Sequence, residues 1–442
     1  MNGDQHGGAA GRNAKKLTKS LIRNEGEFFL IQGFSLLFTL VAGFILIRNL
    51  GIVGYGQYVL MIAMGQMLNA LGNSGLFIGA SELLAKSDKT DLTVSKLFSA
   101  MAHLRLRYTL IAAIAVFGVA VVLLFRLGIT SYSLIWAVIA SLCYGGALVF
   151  CSLFSEGFML LGEGKLVSRF DAGFGVVSAL SSVITSSIFG NGVIVLFFLA
   201  SVEVVRAVTT RSRLYARLGH PLPPGAAEVA FLKKSFWSLL PNVTFSTIRT
   251  EFVKFVLSIQ GQAATLGAFV GMRRFGRAMA PLYKYLSIAV VPKLTRADDK
   301  QRYVKICVRS ICFLLPPVLI LLGFCYQFPS FLLGLLGPEF ATYQAELRLI
   351  GWLILADLAL RFFFDITRSR GWLYYHKRYE IIGFVMVFFA SLLFLNMAEL
   401  SGVIYMNLFV LIMSMLLAFL DLGRGLKEFE IGQVRGFQVD SP

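Results

Sequence analysis

Long apolar stretches recur along this chain, and they constrain its fold more than any other feature. Twelve stretches have about the length that one helix needs to cross a bilayer, roughly 20 residues. They cover residues 28–47, 57–84, 104–125, 132–161, 168–189, 191–210, 235–260, 265–291, 306–336, 347–367, 380–397 and 402–420. Apolar side chains make up 57% of the chain and charged ones 15%, which excludes an ordinary soluble domain. The sequence therefore predicts an all-α polytopic membrane protein with about 12 transmembrane helices.

Lysine and arginine are divided unevenly between the two sides of the membrane that alternating spans define. With the N-terminus in the cytoplasm, 30 of the 41 basic residues fall in cytoplasmic segments, whereas the outer connections hold only Arg48 and Arg126. The positive-inside rule therefore predicts that both termini are cytoplasmic. Because topology accounts for most of the net charge of +17, nucleic acid is not an expected partner.

The longest inner connection divides the chain into two halves, and all 11 prolines lie after residue 220. The predicted organisation is two six-helix lobes, as in transporters built from repeats. It comprises a cytoplasmic N-terminal tail (1–26), an N-lobe (27–210), a cytoplasmic inter-lobe loop (211–234), a C-lobe (235–420) and a cytoplasmic C-terminal tail (421–442).

Nine basic residues remain at membrane depth, and four of them occupy the eighth span. Arg273, Arg277 and Lys284 are spaced by four and seven residues, which predicts one shared helix face, with Arg274 beside it. Each charge that faces lipid would cost about 2.5–3.5 kcal/mol on insertion scales. We therefore expect a hydrated cationic cavity, whose natural ligand is an anion such as a phosphate. The alternative is that the arginines extend to lipid headgroups at the membrane edge.

The seventh span adds two cations to this predicted cavity. The full set of predicted substrate-binding residues is Arg249, Lys254, Arg273, Arg274, Arg277 and Lys284.

Carboxylates at membrane depth are candidates for ion coupling or for ion pairing. Asp357, Arg361 and Asp365 follow one another at steps of four on the tenth span, so they form either an ion-pair ladder or a proton- or cation-coupled switch. The other candidates are Glu251, Glu156 and Asp171, and for the last two we favour a cap or interfacial role.

No metal-ligand spacing, catalytic motif or phosphate-binding loop occurs in the sequence. We expect a transporter that is not an enzyme and has no cofactor, with coupling to a proton or sodium gradient left open.

Three motifs carry a resemblance to a known family. They are Arg48-Asn49-Leu50-Gly51 with Tyr55-Gly56-Gln57-Tyr58, the stretch from Leu240-Pro241 through Arg249 and Gly267 to Val291-Pro292-Lys293-Leu294, and Leu336-Gly337-Pro338-Glu339-Phe340 with Tyr343. The chain resembles the lipid-linked oligosaccharide flippases, the Wzx-like branch of the MOP transporter superfamily. One departure is Glu251, where family members often carry an aspartate beside the arginine.

The resemblance implies a MATE-like, V-shaped pair of six-helix bundles in the bacterial cytoplasmic (inner) membrane. It implies that an undecaprenyl-pyrophosphate-linked glycan moves from the cytoplasmic to the outer leaflet. Expected partners are that glycan, membrane lipids, and a polymerase and chain-length regulator of the same pathway, with the chain functional as a monomer. The alternatives are a cation- or proton-coupled multidrug exporter of the same superfamily, whose cavity should be acidic or apolar, and a membrane polymerase or glycosyltransferase. Short outer connections argue against the last.

Overall fold

The computed structural model describes residues 6–86, 91–219, 222–286, 290–295, 297, 299–397 and 399–430. Side chains are described from Gly33 onward within these ranges, except those of residues 86, 91, 131, 165, 284, 285, 292, 377, 429 and 430. Within this part of the chain every regular element is a helix.

The described chain begins with seven helices: α1 (His6–Asn73), α2 (Leu76–Lys86), α3 (Asp91–Arg126), α4 (Ser131–Leu160), α5 (Gly164–Phe189), α6 (Gly192–Leu218) and α7 (Ala226–Ile259). The rest of the chain forms α8 (Ala263–Arg273), a 3₁₀ turn (Arg274–Met279), α9 (Ala280–Tyr285), α10 (Val291–Thr295), α11 (Lys300–Gln327), α12 (Pro329–Leu336), a second 3₁₀ turn (Pro338–Phe340), α13 (Gln344–Ser369), α14 (His376–Phe394) and α15 (Leu400–Glu430).

The first two predicted spans form one long helix that is broken at Gly51. This residue has φ 66° and ψ 172°, a conformation that a residue without Cβ adopts at no steric cost. Helix α1 is thereby divided into two segments, and the second continues through the turn at Gly75 into α2. The helices of the structure correspond to all twelve predicted apolar stretches.

Seven helical segments of the described chain are long and apolar enough to cross a membrane by themselves. They are 33–85, 92–126, 132–160, 166–189, 192–218, 300–327 and 400–428. The remaining predicted spans carry charged side chains or are divided into short helices, as the eighth is. These remaining spans lie in the second half of the chain, where the sequence also places most of its basic residues at membrane depth.

The helices pack into two groups, which we call the N-lobe and the C-lobe. In the N-lobe, α1 packs against α3, α4 and α5, and α4 packs against α6. In the C-lobe, α13 packs against α11 and α15, and α14 packs against α15. The lobes meet mainly where α1 lies along α8.

The predicted outer connections gather at one end of the molecule, which we call the Gly51 end. The Asn49 amide donates to the Ser186 hydroxyl (3.0 Å), and the Gln57 amide donates to the Leu127 carbonyl (3.0 Å). Gly261 lies against the carbonyl of Arg126. The turns that follow the first, third, fifth and seventh spans are therefore neighbours, as alternating spans require.

The same end joins the two lobes. Arg48 of α1 donates to the Gly334 carbonyl of α12 (2.5 Å), and Glu339 accepts from the Ile52 amide (2.7 Å). Gly56 of α1 and Gly267 of α8 approach so closely that a Cβ on either would meet backbone of the other helix. Since these contacts cross the boundary between the lobes, the Gly51 end is closed.

Helix α7 is shared between the lobes, although the sequence predicts that its span belongs to the C-lobe. Phe236 stacks on Tyr108 of α3 with ring centroids 3.9 Å apart, and it is buried among N-lobe side chains. Beyond Pro241, Phe252 packs against Phe388 of α14 at 4.9 Å. The first half of α7 thus completes the N-lobe core, and the second half belongs to the C-lobe.

Candidate functional site: an arginine cluster between the lobes

The arginines of the eighth span do not share one α-helical face. Helix α8 ends at Arg273, and a 3₁₀ turn follows from Arg274 to Met279. In a 3₁₀ turn the side chains at positions i and i+3 lie over each other, so Arg274 and Arg277 are on the same side of the turn. The prediction of a face formed by Arg273, Arg277 and Lys284 assumed an unbroken α-helix and was wrong. Lys284 falls in α9, and its side chain lies outside the described residues.

Arg274 crosses from the C-lobe to the N-lobe. Its Nε–H donates to the Tyr55 hydroxyl (2.8 Å), and its guanidinium lies over the Tyr55 ring at 5.1 Å. The side chain is buried. A cation that faces an aromatic ring in a desolvated place gains about 2 kcal/mol. Arg274 is therefore an inter-lobe contact rather than a flanking residue.

Arg277 belongs to the same 3₁₀ turn and is exposed. Its charge interacts with Arg274 and with the hydroxyls of Tyr55, Tyr58 and Tyr144. Arg273 lies over the Phe269 ring of its own helix at 5.6 Å. None of the carboxylates described in the structure forms an ion pair with the three arginines. The arginine cluster, by which we mean Arg273, Arg274 and Arg277, is thus unneutralised positive charge at the lobe boundary.

Arg249 lies deeper in the C-lobe and has an anionic partner. It forms an ion pair with Glu380 of α14, and the same carboxylate lies 3.3 Å from Nε2 of His376. Asp421 of α15 accepts from the His376 amide (3.1 Å) and thereby caps the start of α14. Burial, and to a lesser degree the charge of Arg249, lowers the pKa of His376. This group ties α7, α14 and α15 together.

The other predicted C-lobe residues also form ion pairs. Lys254 binds Glu251 at 2.5 Å one turn away on α7, with both side chains largely buried. Within the described chain these two charges neutralise each other.

The acidic residues of the tenth span do not form a continuous ladder. Asp357 accepts from Arg361 (3.3 Å) and from the Tyr283 hydroxyl of α9 (3.2 Å). Arg361 also covers the Tyr283 ring at 4.5 Å. Asp365 interacts electrostatically with Arg368 and Arg361. The predicted ladder is therefore one ion pair that is supported by a tyrosine, with Asp365 beside it.

Glu156 occupies the interior of the N-lobe rather than a cap or interfacial position. It binds Arg105 at 2.6 Å and accepts from the Asn73 amide at 2.7 Å. Arg105 is completely buried, and its second nitrogen donates to Ser152 (2.5 Å). The positive-inside count assigns Arg105 to a cytoplasmic segment, although it lies at the edge of the apolar stretch 104–125. In the structure α3 (Asp91–Arg126) carries this residue into the N-lobe, where it is buried.

Asp171 belongs to a second group of charges in the N-lobe. Arg206 of α6 forms ion pairs with Asp171 of α5 and with Glu203, the latter at 3.2 Å. The Asp171 side chain is 47% exposed, whereas Glu203 is buried. Tyr144 of α4 interacts electrostatically with Glu203 and Arg206 of this group and with Arg277.

Sequence reasoning missed the tyrosines that face the cluster and the pair His376 and Glu380. The Tyr-Gly-x-Tyr motif contains Tyr55 and Tyr58, yet it gives no sign that they meet an arginine 219 residues away. The described residues contain no group of three His, Cys, Asp or Glu that could hold a metal ion. The chemistry that the arrangement offers is reversible binding of an anion.

Comparison with known proteins identifies the fold. No family model matches the chain, and no curated protein matches it. An inward-facing multidrug resistance MATE family transporter of the MOP superfamily superposes with a TM-score of 0.64 and 12% identity, over 90% of this chain and 95% of that chain. The lipid II flippase MurJ in an inward closed conformation gives 0.61 and 11%, over 91% and 90%. A MATE in complex with MaD3S gives 0.59 and 14%, over 91% and 94%.

The chain therefore has the MATE-like transporter fold, and the predicted all-α membrane architecture is confirmed. The solved structures that share it are those of transporters and a flippase. At these low identities the similarity establishes the fold alone.

Proposed function

We propose that this chain is a flippase for a polyprenyl-pyrophosphate-linked oligosaccharide, the O-antigen or exopolysaccharide repeat unit of a bacterial envelope. The observation that carries the proposal is the arginine cluster, which has no carboxylate partner among the described residues. A pyrophosphate supplies the missing negative charge, because Arg binds phosphate oxygens through paired charged hydrogen bonds.

The proposed transport cycle is alternating access between the two lobes. The pyrophosphate binds Arg273 and Arg277 between the lobes, and the polyprenyl tail stays in the lipid. The protein acts as a monomer in the cytoplasmic membrane, with both termini cytoplasmic, and delivers cargo toward the polymerase and chain-length regulator of its pathway. A proton or sodium gradient drives the cycle, with Asp357, Asp365 and Glu251 as the candidate coupling carboxylates, and no cofactor takes part.

Reconstitution tests this function directly. Purified protein in liposomes should move a fluorescent polyprenyl-pyrophosphate oligosaccharide between leaflets, as measured by protection from a membrane-impermeant quencher. The double variant Arg273→Ala/Arg277→Ala should lower the rate at least about tenfold, because hydrogen bonds to charged groups contribute about 1.5–3 kcal/mol each.

Arg348→Ala is the matched control, because Arg348 is an exposed C-lobe arginine that lies over a ring, that of Tyr326, outside the cluster. This variant should keep the rate of the unmodified protein. An unchanged rate in the double variant would contradict the role of the cluster. If the rate stays the same after both ion gradients are collapsed, the protein facilitates movement of the cargo and no ion gradient drives it.

A multidrug exporter is the second candidate, and the carboxylates Glu251 and Asp357 at membrane depth favour it. Both carboxylates already form ion pairs with cations of their own helix. They would therefore bind a cationic drug less strongly than the arginine cluster would bind an anion. Efflux of a lipophilic cation without movement of the pyrophosphate cargo would support the exporter and exclude the flippase.

A further inference from the structure

A polar pocket lies at the Gly51 end of the N-lobe, and none of its lining residues belongs to the arginine cluster. Its volume is about 310 Å³, at the lower end of the roughly 300–1,000 Å³ of small-molecule sites. Its walls are the turn before α4 (128–130), the turn between α5 and α6 (190–192), and the segment of α1 that follows the break. These turns are predicted outer connections, so the predicted topology places the pocket on the outer side of the membrane.

Helix α1 gives one face to this pocket and another to the C-lobe. Gly54, Gln57 and Met61 line the pocket, and their spacing of three and four residues places them on one side of the helix. Tyr55 and Gly56, which lie between them in the sequence, contact the C-lobe instead. The pocket is thus built from N-lobe residues alone, and a rotation of the lobes against each other leaves its walls together.

The lining is held in place by hydrogen bonds that use only some of its polar atoms. The Gln57 amide nitrogen donates to a backbone carbonyl in the turn after α3 (3.0 Å), and the Asn191 amide oxygen accepts from a backbone amide in the first turn of α6 (2.8 Å). Among the described residues, no group bonds to Gln57 Oε1, to Asn191 Nδ2, or to the hydroxyls of Thr130 and Ser133. These four groups remain available to a ligand.

The chemistry of the pocket is that of an uncharged site with donors and acceptors side by side. None of its lining side chains is ionisable. A phosphate or a carboxylate would lose water there without gaining a counter-charge. A lipid chain would leave the amides and hydroxyls without partners. A sugar hydroxyl both donates and accepts, as do the amide and hydroxyl groups of the lining. The pocket therefore fits an uncharged, hydroxyl-rich ring.

We propose that this pocket binds an uncharged sugar ring of the delivered glycan at the outer face of the N-lobe. The identity of the ligand rests on the proposed flippase function. The amides and hydroxyls bind the sugar oxygens, while Met61, Ile129 and Val193, which complete the lining, contact the carbon atoms of the ring. The diphosphate and the glycan of the cargo thus have separate sites.

The experiment measures sugar binding directly, by saturation-transfer NMR on the full chain in phosphatidylcholine nanodiscs. A glycosidic detergent is avoided because it would itself present a sugar. The probes are the methyl glycosides of an N-acetylhexosamine and of a hexuronic acid. The unmodified protein should bind the neutral probe at least about tenfold more tightly, since the carboxylate of the other would be unpaired in the pocket. Equal affinity for the two probes, or no binding of the neutral one, overturns the proposal.

The double variant Thr130→Val/Asn191→Ser removes two polar groups from the pocket and should keep the fold. Val has the shape of Thr, and Ser caps a helix about as well as Asn does. The loss of two hydrogen bonds should weaken binding of the neutral probe at least about tenfold. The matched control is Thr342→Val/Gln344→Ser, which changes an exposed hydroxyl and an exposed amide at the same end of the C-lobe. The control should leave the affinity unchanged.

An affinity that the pocket variant retains, or that both double variants lose equally, overturns the proposal. Thermal unfolding of each purified variant identifies loss of folding. If the pocket variant does not fold, Thr130→Val alone decides, because it changes one hydroxyl that makes no bond within the described protein. A fall in affinity of about threefold then supports the site, and an unchanged affinity overturns it.

A competition measurement identifies the source of the sugar. The polyprenyl-diphosphate oligosaccharide, incorporated into the nanodiscs, should displace the neutral probe from the unmodified protein. If only a neutral glycosyl diacylglycerol displaces it, the pocket binds a lipid headgroup and the proposal is overturned. Displacement by the oligosaccharide without transport in liposomes overturns the flippase alone. Transport without binding of the neutral probe overturns the sugar site alone.

Discussion

The Nε–H of Arg274 donates a 2.8 Å hydrogen bond to the hydroxyl of Tyr55, and this bond joins the two lobes. Arg274 belongs to the 3₁₀ turn after α8, and Tyr55 follows the break in α1 at Gly51. The bond therefore holds the lobes together close to their closed end, and it fixes one arginine of the cluster in place.

Removing this hydroxyl should loosen the closed end. Tyr55→Phe keeps the ring and leaves the buried guanidinium without its acceptor, at a cost of about 1–3 kcal/mol. We expect faster hydrogen–deuterium exchange in residues 48–56 and 263–273. Tyr343→Phe is the control, because Tyr343 lies at the same end and its hydroxyl makes no described bond across the lobes. Equal exchange in Tyr55→Phe and the unmodified protein would show that the bond does not hold the end closed.

The contact of Gly56 with Gly267 makes a second prediction for the same end. A methyl group at Gly56 would meet the Ala263 carbonyl, and backbone cannot rotate away as a side chain can. Gly56→Ala should lower the thermal midpoint of unfolding in detergent, because overpacking costs about 1–3 kcal/mol. Gly118→Ala should leave it unchanged or raise it, since Gly118 of α3 has open space around it and Ala favours a helix by about 0.5–1 kcal/mol. Midpoints that do not differ would contradict the close approach.

The buried pair of Arg105 and Glu156 should stabilise the N-lobe only as long as both charges are present. Glu156→Gln leaves a completely buried guanidinium without its counter-charge, and breaking such a pair costs about 3–5 kcal/mol. We expect a large fall in the thermal midpoint. The matched change is Glu163→Gln, whose partner Arg217 is 69% exposed, and it should cost about 0–1 kcal/mol. A similar fall in both variants would argue against a buried pair.

Stability should depend on pH through His376. Burial lowers the pKa of this imidazole in the folded protein, while the unfolded chain binds a proton below about 6.5. Because the unfolded state then binds more protons, stability falls as the pH is lowered through that value. His376→Gln should reduce the change in the thermal midpoint between pH 8 and pH 5.5. His103→Gln, at an exposed position of α3, should leave that change as it is in the unmodified protein. Parallel pH profiles for His376→Gln and the unmodified protein would refute this.

The helices were predictable because the membrane imposes one dominant rule, an apolar stretch for each crossing. The turn at Gly51 also coincides with the motif that the sequence singles out. The burial of Arg105 was not predictable, because an apolar stretch does not show which of its neighbouring charges face the interior of a lobe. Helix α3 begins at Asp91, and it buries the polar residues Ser95, Arg105 and Thr109 together with many apolar ones.

The candidate site was only partly predictable, for a different physical reason. The composition of the eighth span revealed its arginines, but a change from α to 3₁₀ geometry rotates the side chains that follow. Arg274 was therefore taken as peripheral. Its partner Tyr55 and the neighbour Tyr144 come from the other lobe, and no periodicity in one span can identify a contact made with another.

Pro241 gives α7 a mechanical property that neither lobe has by itself. The proline cannot donate to the Trp237 carbonyl, so the helix is easier to bend there than anywhere else along its length. Its two halves are fastened to different lobes, through Phe236 and through Phe252. Any rotation of one lobe against the other must therefore bend this helix. We expect Pro241 to be its hinge, and the stiffness of the helix at this residue to set how easily the lobes rotate.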